Sequence, residues 1–334
     1  MKKLPNIVCV GGGTGTFVVL KGLKFYPSRL AAIVAMSDSG GSNKRIRDEF
    51  GLLPTSDIRQ CLVALSDENG GIGFLRKLFM YRFEKGEGIT GMTFGNLFMA
   101  ALSDILGSQE AAIRQTSKVL RIHGTVIPVS FTNTNLYAQY EDGHTLKEEH
   151  LIDEPTHDGK LKILKIYLKP KAVANPEALK RIETADLIVL GPGDLYTSLI
   201  PNLLVKGVPE AISKSKAKVV YVSNLMTKYG QTYNFTALDH LRVLEKFLGK
   251  RINFVIIHKG KLNSQALKKY EQYQEIPIID DLQENCYYHV ERENVVAKKI
   301  MEKSSADTLV RSLIRHDSKK LASCLIEILE NTHD

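Results

Sequence analysis

Cysteine is scarce in this chain, and what there is stands apart: Cys9, Cys61, Cys286 and Cys324 include no C-x-x-C pair. Such spacing argues against a structural zinc site and offers no disulfide framework, so a reducing cytoplasm is the expected compartment. Long apolar runs are missing as well. No stretch approaches the roughly 20 residues a membrane span needs, and the run after Lys2 and Lys3 is too short for a signal peptide, so neither a membrane partner nor targeting is expected. Also absent are an aromatic-and-basic module for stacking single strands and a helix-turn-helix pattern. The net charge of +8 is spread along 334 residues, with only small clusters such as Lys44-Arg45-x-Arg47. Anionic small molecules explain that excess as well as nucleic acid does, and nucleic-acid binding is not expected. No serine or cysteine sits in a nucleophile motif.

What is present is glycine at the ends of apolar runs. Ile7-Val8-Cys9-Val10 leads without a break into Gly11-Gly12-Gly13-Thr14-Gly15-Thr16, which reads as a buried strand, a tight turn and the start of a helix at about 17–23. Glycines at a strand's carboxyl end let backbone approach a ligand, and a helix start offers unpaired N–H groups and a positive dipole end. Gly12, Gly13, Thr14 and Gly15 are therefore candidate phosphate-binding residues. A dinucleotide fingerprint counted from Gly11 would put its last glycine at position 16, where Thr16 stands, and no Gly-Lys-Ser/Thr closes a Walker loop. A glycine turn that only packs helix against strand is the other reading.

A second apolar run, 31–36, ends in Ser37-Asp38-Ser39-Gly40-Gly41-Ser42, which in an open parallel sheet shares a rim with the first glycine loop. Asp38 suits a ribose hydroxyl, a magnesium ion or a substrate donor; as an Asx turn it would simply feed a helix. The segment 54–65 reads as a capped helix in which capping accounts for Asp57, and Arg59 either reaches a phosphate or is solvated. Gly91 to Leu102 opens an almost wholly apolar helix, so its entrance faces the interior, where Asn96 either reads a ligand or satisfies local backbone. Between 124 and 170 the pattern changes to short strands and turns: 125–129, 136–140, Asp142-Gly143 as a hairpin turn, and 162–168. This is expected to be an antiparallel insertion covering one side of the sheet, with His144, His150 and His157 as surface histidines. Length and pattern together suggest one α/β domain over 1–334 carrying that insertion at about 124–170.

The parallel pattern returns at 185–190, running into Gly191-Pro192-Gly193-Asp194, a second glycine loop in which Gly193 is a candidate ligand contact. Further strands at 219–222 and 254–257 end at Ser223-Asn224-Leu225-Met226-Thr227 and at His258, with Asn224 a candidate and His258 read as structural. Arg311 and Arg315 stand four apart, which puts them on one face if that segment is helical; a phosphate partner and a solvated helix face both fit. An amphipathic helix follows from about 318 to 329.

Taken together these stretches resemble the YvcK family of bacterial gluconeogenesis factors, within the CofD-like superfamily. The resemblance covers about 7–329 and rests on GGGTG at 11–15, SDSGGS at 37–42, SDIRQCLVALSD at 56–67, FGNLF at 94–98, GPGDLYTSLIPNLLV at 191–205, SNLMT at 223–227 and RHD at 315–317. It implies a Rossmann-like three-layer α/β sandwich, with a mostly parallel sheet and an antiparallel insertion. It further implies a cytoplasmic homodimer that binds UDP-N-acetylglucosamine and supports cell shape and peptidoglycan metabolism during gluconeogenic growth, with no reaction assigned. By that resemblance Tyr270, in Lys269-Tyr270, and Arg315 contact the sugar nucleotide. The chain departs from the family pattern at Ser39, where a second aspartate is usual, at Ser56 (glycine), at Met92 (histidine) and at Asp194 (serine). Losing the second aspartate weakens a two-carboxylate magnesium site. The alternative implied by likeness to CofD is a magnesium-dependent transferase of a phospholactyl group from a nucleotide donor; a nicotinamide oxidoreductase is suggested by the glycine loop alone.

Overall fold

The computed structural model describes residues 3–284, 286–298 and 312–331. The first half runs β1 (Asn6–Gly11), α1 (Gly13–Leu23), β2 (Arg29–Val34), α2 (Gly41–Phe50), α3 (Ser56–Leu65), α4 (Gly70–Met80), α5 (Phe94–Leu106), α6 (Gln109–Val119) and β3 (Thr125–Pro128). An insertion follows, made of β4 (Asn135–Tyr140), β5 (Thr145–Lys147), the short α7 (Glu149–Asp153) and β6 (Ile163–Lys169). The second half runs α8 (Pro176–Glu183), β7 (Leu187–Leu190), a wide helical turn at Leu195–Leu199, α9 (Ile200–Leu203), α10 (Val208–Lys214), β8 (Lys218–Val222) and α11 (Ala237–Leu248). It ends with β9 (Phe254–His258), α12 (Ser264–Gln272), β10 (His289–Glu293) and α13 (Ser318–Glu330).

Seven strands form one sheet in the order β10-β9-β8-β7-β1-β2-β3, every pair parallel. From β1 the chain builds outward through β2 to β3, then returns to β7 on the other flank of β1. The strand order therefore reverses at β1 and β7, and the loops at their carboxyl ends diverge into a crevice. β1 is buried on both faces, as a central parallel strand must be. Ile7 and Cys9 pack with Leu20 and Leu23 of α1, Ile58 and Leu62 of α3 and Leu325 of α13. Val8 and Val10 face the opposite layer, whose core includes Leu136 and Ala138 of β4 and Leu241 and Leu244 of α11.

Two boundaries differ from the sequence reading. The run at 125–128 is not part of the insertion: β3 pairs parallel with β2, Val126 opposite Ala32, as the edge strand of the main sheet. Its three buried positions in a row mark a strand covered on both faces, and Pro128 is tolerated because it ends an edge strand. The antiparallel sheet itself, β5-β4-β6, is as expected and covers one side of the main sheet. The first helix begins at Gly13 rather than at 17, because the glycine cluster is itself the first turn and carries no apolar side chain to reveal the period.

Candidate functional site

Loops after β1, β2, β7 and β8 converge with α7, Tyr270 and residues 312–316 on one cleft at the carboxyl edge of the sheet. Gly12, Gly13, Thr14, Gly15, Asp38, Gly193, Asn224, Tyr270 and Arg315 all line it; Asn96 does not. The glycine loops are set back to back. Gly13 takes φ +64°, and a Cβ on Gly15 would overlap the carbonyl oxygen of Pro192, so these positions need glycine for conformation and for clearance respectively. Asp57 of α3 is a contact that sequence reasoning missed. Its carboxylate lies where a Cβ on Gly12 would stand, so it packs across the cleft floor instead of serving only its own helix start.

The wall formed by α2 and α3 is held by a buried polar network. Asp38 accepts from the Gly40 N–H at 2.8 Å and from Asn43 Nδ2 at 2.6 Å, which is the Asx-turn geometry, while its residue also lines the cleft. Asn43 Oδ1 accepts from the backbone of Thr55 and Ser56 and thereby satisfies the start of α3. Asn96 is fully buried behind this wall, a correction to its expected place on the ligand. Its Nδ2 donates to Ser42 Oγ at 2.9 Å and Ser56 Oγ at 3.0 Å, and its Oδ1 accepts from Arg59 Nε at 2.9 Å. Only the entrance of the apolar helix faces inward, onto α2 and α3; its body packs on α4 and α6 and leaves Ile105 and Leu106 exposed. Arg59, only 4% exposed, is thereby aimed at the cleft and is no solvated helix residue.

The inner end is rich in titratable groups that no local pattern announced, because they come from distant parts of the chain. Asp153 Oδ1 accepts from Gln231 Nε2 at 3.0 Å and lies 3.7 Å from Lys228 Nζ. Burial pushes Asp194 up to about 6 despite Lys228, and pushes Glu275 up to about 7. The same carboxylates hold Lys228 firmly as an ammonium against its own burial. Glu149 is raised too, by burial and by Asp38 and Asp153. Ser39, at the position where the family pattern has aspartate, docks α7 here: its Oγ accepts from the His150 N–H at 3.0 Å, and its own N–H donates to Glu149 Oε2 at 3.3 Å. His150 thus lines the cleft, and His144 stacks on Tyr140 with ring centroids 4.6 Å apart, so neither is a plain surface histidine. His157 stands edge-on to the same Tyr140 at 4.3 Å.

At the far wall the Tyr270 hydroxyl accepts from the N–H groups of Leu313 and Ile314, at 2.9 and 3.3 Å, and so pins the segment that carries Arg315. That segment is extended: Val296 bridges His316, and the Ala297 N–H donates to the Arg315 carbonyl. The helical-face reading of Arg315 therefore gives way to a place in the cleft wall, while Arg311 lies outside the described residues. Buried His316 is pushed down to about 4, which keeps it neutral. Asn224 presents a buried Oδ1 with no hydrogen-bond partner among the described residues. No three acidic, imidazole or thiol groups are arranged to hold a metal ion among the described residues.

A doubly wound sheet whose glycine loop opens a helix at the point of strand reversal places this chain in the Rossmann-like class of α/β proteins. The pattern of the 2-phospho-L-lactate transferase CofD family matches residues 7–301. Among curated relatives, the gluconeogenesis factor of Bacillus subtilis is 37% identical over 99% of this chain and all of its own length. That of Halalkalibacterium halodurans is 41% identical over 84% of this chain and 85% of its own. A crystal structure of a UPF0052 family member from Bacillus halodurans superposes with a TM-score of 0.86 at 34% identity, covering 98% of this chain and all of that one. The chain belongs to the gluconeogenesis factor (YvcK, UPF0052) family within the CofD-like proteins.

Proposed function

We propose that the cleft binds UDP-N-acetylglucosamine, and that the protein is a cytoplasmic nucleotide-sugar-responsive regulator, acting as a homodimer. In this reading it supports cell shape and peptidoglycan metabolism during gluconeogenic growth. The observation that carries the proposal is the meeting, in one cleft, of the first turn of α1 with Arg315, Tyr270 and the unpartnered Oδ1 of Asn224. N–H groups and a helix dipole at Gly12 to Gly15 suit a diphosphate, the Arg315 fork suits its oxygens, and Asn224 Oδ1 is an acceptor for an amide or hydroxyl donor. Family membership supports the regulatory side of the reading. Binding is expected to be nearly independent of magnesium.

The test is calorimetry with UDP-N-acetylglucosamine, with and without magnesium, on the parent protein and on Arg315→Ala. A loss of about 1.5–3 kcal/mol is expected, as for a hydrogen bond to a charged group, with little change in the Tm of the unliganded protein. Arg315→Lys should recover only part of it, since lysine keeps the charge without the fork. A parent protein that does not bind, or an Arg315→Ala protein that binds like the parent, overturns the assignment.

A further inference from the structure

Beyond the diphosphate cradle, the inner end of the cleft has a charge balance of its own. Asp194, directly after Gly193, lines the cleft beside Asp153 of α7, whose negative charge adds to burial in raising the Asp194 carboxyl. The neighbouring donors all converge on one atom: Gln231 Nε2 at 3.0 Å, Thr197 Oγ1 at 3.5 Å and Lys228 Nζ at 3.7 Å from Asp153 Oδ1. Glu275 adds a third carboxyl near Lys228. Above pH 7 the three carboxyls outweigh the single ammonium. The Gln231 amide and the Thr197 hydroxyl are engaged with Asp153, so what this end offers an incoming group is mostly carboxyl oxygen, beside the one ammonium of Lys228.

We infer that the Asp153–Asp194 end of the cleft is a subsite for an uncharged, hydroxyl-bearing group, and that Asp194 is a specificity-determining residue that excludes a carboxylate or phosphate from it. The inference rests on the nucleotide-sugar reading and names which sugars qualify. A hydroxyl has a proton to give a carboxylate oxygen and a lone pair to accept from the Lys228 ammonium. An ionised carboxylate has no proton to give, and it meets like charge in a partly desolvated place where screening is weak. Discrimination of this kind comes from the repelling group as much as from the welcoming one.

UDP-glucose and UDP-glucuronate, which differ in one hydroxymethyl against one carboxylate, separate the cases by calorimetry at pH 7.5. The parent protein should bind UDP-glucuronate at least tenfold more weakly than UDP-glucose. In Asp194→Asn, and in the smaller Asp194→Ser, that ratio should shrink at least threefold while UDP-glucose still binds. Equal binding of the two sugars by the parent overturns the inference on its own, whatever the variants do. So does a ratio left unchanged in both variants. If no nucleotide sugar binds the parent, the nucleotide-sugar reading falls and takes this inference with it, an outcome distinct from equal binding.

Discussion

At the residue scale, glycine at 15 is demanded by a neighbour more than by its own backbone. The atom a Cβ would strike is the Pro192 carbonyl oxygen, part of a loop that cannot swing aside like a side-chain tip. Gly15→Ala should therefore destabilise by about 1–3 kcal/mol, as overpacking does, read from the urea midpoint. Gly71, near the start of α4, has nothing within 4 Å of its missing Cβ and no positive φ. Gly71→Ala should be neutral or should stabilise by up to about 1 kcal/mol, and similar losses at both positions would contradict the packing argument. The difference was not legible in the sequence, where both are glycines of short glycine-rich stretches. The reach of Pro192 comes from residues far along the chain.

At the scale of elements, Asn96 ties together the starts of α2, α3 and α5. Asn96→Ala would leave the buried Arg59 without its Nε acceptor and two serine hydroxyls without a donor. A stability loss of about 1–3 kcal/mol is expected, together with weaker ligand binding because Arg59 is no longer aimed. A variant as stable as the parent would show that the network is dispensable. Most strands were legible, since a parallel strand buried on both faces has to be a short unbroken apolar run, as 7–10, 187–190 and 219–222 are. Strand β3 was misplaced because its partner, not its composition, decides which sheet it joins. The glycine loops pointed to the cleft, but Asp57, Asp153, Lys228 and Glu275 reach it only through tertiary folding, and nothing in their local sequence carries that information.

At the scale of the whole molecule, stability is coupled to pH through the cleft. Asp194 binds its proton up to about pH 6 when folded, whereas an unfolded aspartate gives it up near its ordinary value of 3.8. Between those values the folded state holds more protons, so this residue's contribution falls as pH rises through the window and is level above it. Neutral His316 acts in the opposite sense, costing stability as pH falls from 6.5 towards 4, so the informative quantity is the difference between variant and parent. Asp194→Asn, which keeps size and removes the titration, should gain on the parent by about 1–2 kcal/mol between pH 4 and pH 8, discounted for partial exposure. Denaturation profiles that stay parallel across that range would rule the coupling out.

One contact far from the cleft bears on how the site comes into being. Gly22 of α1 is pressed against the Ser318 carbonyl and Ala322 of α13, and Leu321 and Leu325 seal the core layer that supports β1 and α1. During synthesis the glycine loop leaves the ribosome well before the helix that backs it, because every strand of the sheet after β1 is translated between α1 and α13. Domains generally fold as units once their parts are available. Until α13 has been translated, the nascent chain therefore carries the glycine loop without the helix that braces it, and completion of the cleft waits on that helix.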